Sequence, residues 1–188
     1  MPKKINLPFN EDTLAELKAG DDLLLSGVVY TARDTAHRRM VADLEQGRQL
    51  PFDIRGQTIY FMGPTPARPG RVIGSAGPTT SGRMDTYSPS LIKAGLKAMI
   101  GKGKRSEAVK EAIKQYRAVY LGAIGGTGAL LSQSIRHAEI VAYPELGAEA
   151  ILRLEVKDFP VIVINDIYGG DLYETGKTRY QVMPIHQA

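Results

Sequence analysis

Three glycine-rich segments carry the residues whose types and spacing could do chemistry. They are Ser75-Ala-Gly-Pro-Thr-Thr-Ser-Gly-Arg-Met-Asp85, Ile100-Gly-Lys-Gly-Lys-Arg-Ser106 and Leu121-Gly-Ala-Ile-Gly-Gly-Thr-Gly128. A phosphate-binding loop needs Gly-x-x-x-x-Gly-Lys-Ser/Thr, so that a lysine reaches the phosphates and a hydroxyl meets magnesium. Gly77 and Gly82 have that spacing, but Arg83 and Met84 occupy the two positions that carry the chemistry. The dinucleotide fingerprint Gly-x-Gly-x-x-Gly fails at Ser106 in the second segment and at Leu131 beyond the third. What remains is a set of loops bringing backbone N–H groups, hydroxyls and cations together. Thr79, Thr80, Ser81 and Arg83 crowd one turn; Lys102 stands between two glycines; Arg33 follows an apolar run in Tyr30-Thr-Ala-Arg-Asp-Thr-Ala-His37.

Glycines beside a cation let backbone approach a ligand closely, and arginine presents a planar fork that matches a carboxylate. Arg33, Arg83 and Lys102 at strand ends would make a pocket for a dicarboxylate. Plainer readings stand beside this one. Gly101-Lys-Gly103 also reads as a tight turn with a solvated lysine. Asp34 reads as a helix cap or a surface partner of Arg33, and the Gly77–Thr80 stretch as a turn leading into a capped helix. His37 reads as a structural helix-face residue. The cations from Lys102 to Arg117 read as a wetted helix face, and with no aromatics among them a nucleic-acid groove is unsupported.

The chain has no cysteine, which excludes a disulfide framework, a thiolate nucleophile and a cysteine-ligated cluster held by this chain alone. The three histidines, His37, His137 and His186, lie far apart, so no metal site is expected here. With 188 residues and 43% apolar and 23% charged content, the chain can bury a sizeable core as one domain. No apolar run approaches the roughly 20 residues of a membrane span. The expectation is a cytoplasmic protein without membrane contact. The net charge of +4 permits a nucleic-acid partner without arguing for one, and equally suits a dianionic substrate.

The elements that must position these residues follow from periodicity and punctuation. Helices are expected at Asn10–Lys18, Asp34–Gln46, Asp85–Ala94, Ser106–Tyr116, Thr127–Ile135 and Glu145–Leu152. Strands are expected at Leu23–Thr31, Thr58–Met62, Leu96–Ile100, Ala118–Ile124 and Phe159–Ile164, with shorter ones at Arg71–Gly74 and Ala138–Ala142. From about residue 167 the chain reads as a turn and a loosely attached tail. Strand–helix alternation from Leu96 onward predicts α/β: a mixed sheet with helices packed on it and a strand-rich layer from the first half.

The same segments carry a resemblance. Ala32-Arg-Asp-Thr-Ala-His37, Gly77-Pro-Thr-Thr-Ser-Gly-Arg-Met-Asp85, Gly101-Lys-Gly103, Tyr120-Leu-Gly-Ala-Ile-Gly-Gly126, Tyr143-Pro-Glu-Leu-Gly-Ala-Glu-Ala-Ile151 and Val156-Lys-Asp-Phe-Pro160 run in the order found in beta subunits of two-subunit class I fumarate hydratases. L-tartrate dehydratase beta subunits are close relatives of that family. The resemblance implies a swivelling β/β/α domain and a hydro-lyase that interconverts (S)-malate and fumarate. It also implies a [4Fe-4S] cluster ligated by a cysteine-bearing alpha subunit in a hetero-oligomer. In that family the cluster's open iron acts as the Lewis acid toward the substrate carboxylate and leaving hydroxyl. The family's substrate-binding cations fall on Arg33, Arg83 and Lys102, and its candidate base on Thr79, assisted by an aspartate of the partner. Gly82 and Asp85 match the fumarase version of the string, whereas a bulkier residue and a glutamate are usual in the tartrate enzymes. A non-catalytic subunit that binds a dicarboxylate is the alternative of another class.

Overall fold

The computed structural model describes residues 1–180, with side chains through Thr178; His186 and the rest of the expected tail lie outside the described residues. In chain order the elements are β1 (Lys3–Asn6), α1 (Glu11–Glu16), β2 (Asp22–Thr31), α2 (Asp34–Glu45), β3 (Thr58–Tyr60), α3 (Ser88–Lys93) and β4 (Ala98–Gly101). There follow α4 (Glu107–Tyr116), β5 (Val119–Gly122), α5 (Gly128–Leu131), β6 (Ile135–Ala142), β7 (Ile151–Asn165) and α6 (Leu172–Tyr180).

Strand β2 pairs in parallel with β3, β3 with β4 and β4 with β5. The long β7 then runs antiparallel to both β5 and β2. These strands therefore close on themselves, with β1 extending the open part of β2 and β6 the open part of β7. Side chains alternate across a strand, and the alternation sorts the core in two. Leu25, Tyr60, Met62, Ile100, Leu121, Val156 and Phe159 fill the inside of the circuit. Ile59, Phe61, Met99, Tyr120 and Ile164 face outward into a second core closed by helices α2, α3 and α4. The result is the expected mixed sheet with helices packed on it, layered β/β/α.

The helices form where sequence chemistry allows. Asn10 accepts the Thr13 N–H at 2.7 Å and starts α1. Helix α4 places Val109 and Ile113 against the sheet, each buried side chain contributing about 1.5–3 kcal/mol. Ser106 sits at the cap position of α4 but its hydroxyl makes no cap bond; instead its N–H donates to Asp85 Oδ2 at 2.7 Å.

Four expectations need correction. Arg71–Gly74 is not a strand. It belongs to an irregular loop tied by Thr65 N–H to the Ser75 carbonyl and Ser75 N–H to Thr65 Oγ1, and the prolines within the loop cannot donate to a ladder. The helix expected over Thr127–Ile135 is one short turn, because Ile135 already pairs with Val156. Glu145–Leu152 is not a helix: a short 3-10 turn covers Pro144–Glu149, Gly147 turns to φ +57, and Ile151 begins β7. The segment after 167 is not merely a turn and loose tail. Asp171 Oδ1 accepts the Tyr173 N–H at 2.9 Å, α6 follows, and Leu172 and Tyr173 pack against the helical-side core.

Candidate active site

Because β2, β3, β4 and β5 run in parallel, their carboxyl ends share one edge of the sheet. Arg33 follows β2, Gly63 follows β3, Lys102 follows β4 and Gly125 follows β5. The Thr79–Asp85 segment is laid across that edge. Thr79 N–H donates to the Phe61 carbonyl at 2.7 Å, and Ser81 N–H donates to the Lys102 carbonyl at 2.9 Å. Thr80 and Lys102 form an isolated parallel bridge. The structure thus gathers the turn bearing Thr79 and Arg83 onto the strand ends bearing Arg33 and Lys102.

Asp34, at the first turn of α2, links the two arginines. Its Oδ1 lies 2.8 Å from Arg83 Nε as an ion pair, and its Oδ2 stands 4.0 Å from Arg33 Nε. Glu149 approaches Arg33 from the other side at 3.6 Å and also accepts the Thr35 N–H at 2.9 Å. Charge-assisted hydrogen bonds run at about 2.7–2.9 Å, so neither carboxylate saturates Arg33. Its Nε and Asp34 Oδ2 are buried without a hydrogen-bond partner. Arg83 meets Asp34 only through Nε, and its terminal nitrogens have no ion pair or hydrogen bond among the described residues. Lys102 Nζ has no ion pair or hydrogen bond among the described residues. The Arg83 terminal nitrogens and the Lys102 ammonium are left to meet an anion, while Arg33 keeps the looser pairing with Glu149.

Two glycines make room for these cations. A Cβ on Gly63 would stand 2.9 Å from an Arg33 terminal nitrogen and 2.6 Å from the Ala148 carbonyl. A Cβ on Gly125 would sit 3.4 Å from Lys102 Cδ. The Thr79 hydroxyl makes no hydrogen bond among the described residues, and Thr80, at the cap position of the 3-10 turn Ser81–Met84, makes no side-chain cap bond. Thr80 is exposed.

Beneath the arginines lies His37, fully buried, with Nδ1 2.9 Å from the Arg33 carbonyl and an edge-on contact with Phe61. Burial, with a lesser push from Arg105, drives its pKa down to about 4 against the opposing hydrogen bond to Arg33. The ring is therefore neutral at pH 7, in keeping with a structural role.

Sequence reasoning missed the supports: Glu149, Arg105 and Tyr120, and the bridging role of Asp34. One signal was readable, since Asp34 directly follows Arg33. The others lie far from their partners in the chain; Tyr120 and Glu149 stand in matching strings that assign them no role.

Comparison with known proteins shows the family. A family model described as "Fumarase C-terminus" matches residues 2–176. The chain belongs to the fumarase C-terminus family. It is 41% identical over 174 residues to the anaerobic class I fumarate hydratase of Escherichia coli K12, covering 90% of this chain and 32% of that protein. Fumarate hydratase 2 of Leishmania major is 38% identical over 162 residues, covering 85% of this chain and 28% of its own length. A Methanocaldococcus jannaschii chain, provisionally named L(+)-tartrate dehydratase subunit beta, is 39% identical over 175 residues, covering 88% of this chain and 90% of its own. The chain thus spans about a third of the length of the fumarate hydratases it matches and nearly all of the tartrate-type beta subunit.

An iron–sulfur cluster does not fit the donors of this member of the family. The sequence has no cysteine, and among the described residues no group of three or more His, Asp or Glu side chains could hold a metal ion. Among those residues no helix is long and apolar enough to cross a membrane.

Proposed function

We propose that this chain is the beta subunit of a heteromeric class I fumarate hydratase, catalysing the reversible dehydration of (S)-malate to fumarate. A cysteine-bearing alpha subunit would hold the [4Fe-4S] cluster, since the donors of this chain do not suit it. The observation that carries the reading is the gathering of Arg33, Arg83, Lys102 and Thr79 at one sheet edge, where the Arg83 terminal nitrogens, Lys102 Nζ and the Thr79 hydroxyl have no ion pair or hydrogen bond among the described residues. Dehydration of malate removes a proton from C3 and hydroxide from C2. On this chain's side, Arg83 and Arg33 grip carboxylate oxygens through planar forks, and Lys102 adds a point charge. Together they fix C3 opposite one hydroxyl. Thr79 takes the C3 proton; a threonine hydroxyl is a weak base and needs an acceptor for its own proton, a role for a carboxylate of the partner. Orientation of a held dianion is itself worth several kcal/mol of barrier.

A second reading has its own support. The tartrate-type relative is matched along 90% of its length as a separate chain, the subunit division proposed here. Malate and L-tartrate differ by one hydroxyl, at the carbon that Thr79 would deprotonate. The deciding experiment is kcat/KM for (S)-malate and for L(+)-tartrate in the assembled two-chain enzyme. The fumarase reading expects malate to be preferred by at least tenfold. A preference for tartrate assigns the chain to the second reading. Failure on both dicarboxylates, with binding retained, leaves only the non-catalytic binding subunit.

A further inference from the structure

Arg105 is a buried charge held on every side. Its side chain is fully enclosed, and Nε donates to Asp85 Oδ1 at 2.7 Å. One terminal nitrogen donates to Ser88 Oγ at 2.7 Å, and the other lies 3.3 Å from Met99 Sδ. The guanidinium carbon lies 4.8 Å from the Tyr120 ring centroid and 5.3 Å from that of Phe61. In contrast to Arg33, no donor direction faces open space, so Arg105 cannot bind a ligand. A buried guanidinium is costly unless its partners are in place, which makes its surroundings a set of fixed points.

All of those points except Met99 also hold the segment that carries Thr79 and Arg83. Asp85 ends that segment and accepts the Ser106 N–H through its second oxygen at 2.7 Å. Ser88 donates to the Met84 carbonyl at 2.9 Å. Phe61 provides the carbonyl that receives the Thr79 N–H. The Tyr120 hydroxyl is hydrogen-bonded to Ser81 Oγ at 2.8 Å and to the Gly103 carbonyl at 2.9 Å. One planar cation therefore touches the end of β3, the face of β5 and the far end of the Thr79–Asp85 segment together.

We propose that Arg105 is a positioning residue: through Asp85, Ser88, Phe61 and Tyr120 it sets the placement of the Thr79–Asp85 segment, and so of Thr79 and Arg83, over the strand ends. Its consequence for turnover rests on the function proposed above; its consequence for the segment does not. Lysine at this position keeps the charge but lacks the rigid planar fork that reaches Asp85 and Ser88 from separate nitrogens while meeting two aromatic rings. A misplacement of about 1 Å at a reacting group costs on the order of 10²-fold.

The test uses Arg105→Lys and the double variant Arg105→Met/Asp85→Asn. The double variant removes both buried charges and keeps an oxygen for the Ser106 N–H. Removing both partners of a buried pair is far less destabilising than removing one, so the double variant separates placement from folding. Hydrogen exchange on the full chain reads the segment, with the Val163 amide in β7 as internal reference. In both variants the amides of Thr79, Ser81 and Asp85 should exchange at least tenfold faster while Val163 is unchanged. In the assembled enzyme kcat/KM should fall at least tenfold per folded molecule, including in the double variant where melting temperature is recovered. Unchanged protection at those three amides overturns the proposal. So does faster exchange with kcat/KM intact in an enzyme whose wild type is active. A wild-type assembly inert toward both dicarboxylates refutes the function instead, and the exchange result then still decides whether Arg105 holds the segment.

Discussion

Replacing Thr79 by valine isolates the proposed proton transfer from everything else that the residue does. The backbone anchors of this position, its N–H on the Phe61 carbonyl at 2.7 Å and its carbonyl facing the Lys102 N–H at 3.4 Å, do not involve the side chain. Valine has the same shape, and the hydroxyl it removes has no hydrogen-bond partner among the described residues. The stability cost is therefore that of a mild substitution, within about 0.5 kcal/mol. For a chain of this size that moves the melting temperature by no more than about 2 °C. Arg33, Arg83 and Lys102 are untouched, so KM for malate should stay within about threefold. The loss belongs to the chemical step: a positioned acid/base contributes about 10²–10⁴-fold, and kcat should fall by that range. Thr80→Val is the control, since Thr80 is chemically identical, adjacent and exposed; its kcat should be unchanged. The assay is fumarate formation by the assembled enzyme, normalised to folded protein. Equal kcat for the Thr79 and Thr80 variants would refute the reasoning and leave this chain with a binding role only.

Other perturbations have equally definite outcomes. Arg83→Lys keeps the charge but loses the fork and the Nε ion pair with Asp34; kcat/KM should fall on the order of 10²-fold, and an unaltered value in steady-state kinetics would remove Arg83 from substrate binding. Gly101→Ala places a Cβ 1.9 Å from Ser81 Oγ and 3.0 Å from Phe61. Overpacking of this kind costs about 1–3 kcal/mol, measurable by urea denaturation, and should lower kcat/KM as well because Ser81 lies in the Thr79–Asp85 segment. For His37, the folded state holds the pKa near 4 against an ordinary 6.5. Above pH 6.5 the ring is neutral in both states and costs nothing. Between pH 6.5 and 4 the unfolded chain takes up a proton that the folded one refuses, so stability falls with acidification. The loss should reach on the order of 2–3 kcal/mol at pH 4.5. His37→Gln should be less sensitive to acid by that amount in denaturant titrations at pH 7 and 4.5, and parallel pH profiles would contradict the assigned burial.

Much of the site was legible because its cations are marked locally. Arg33 ends an apolar run, Lys102 stands between glycines, and Arg83 closes a turn rich in hydroxyls. In each case the residue type and the loop signal fall within a few positions of one another. The supporting network was hidden because its members meet only across the fold: Arg105 and Asp85 are 20 residues apart, and Tyr120 and Ser81 are 39 apart. The central elements β2, α2, β3, β4, α4 and β5 were readable from period and punctuation. Strand β7 was read only from Phe159 onward. Its buried residues Ile151, Leu154, Val156 and Phe159 are spaced three, two and three apart, with Asp158 at φ +50 interrupting the alternation. That spacing imitates a helix at its start. Helix α6 had a visible signal in Asp171 and Glu174, the spacing of a capping box, and its weak amphipathicity concealed it.

The central claim is a division of labour, in which this chain grips and deprotonates the dicarboxylate while its partner holds the cluster. It is tested most directly by fumarate formation from (S)-malate with the chain alone, the cysteine-bearing partner alone and the two mixed, with iron assayed in each. The account predicts turnover only in the mixture, with iron in the partner and in the mixture and none bound stoichiometrically to this chain. A stoichiometric iron–sulfur chromophore on this chain alone, or full turnover by the partner without it, would contradict the account.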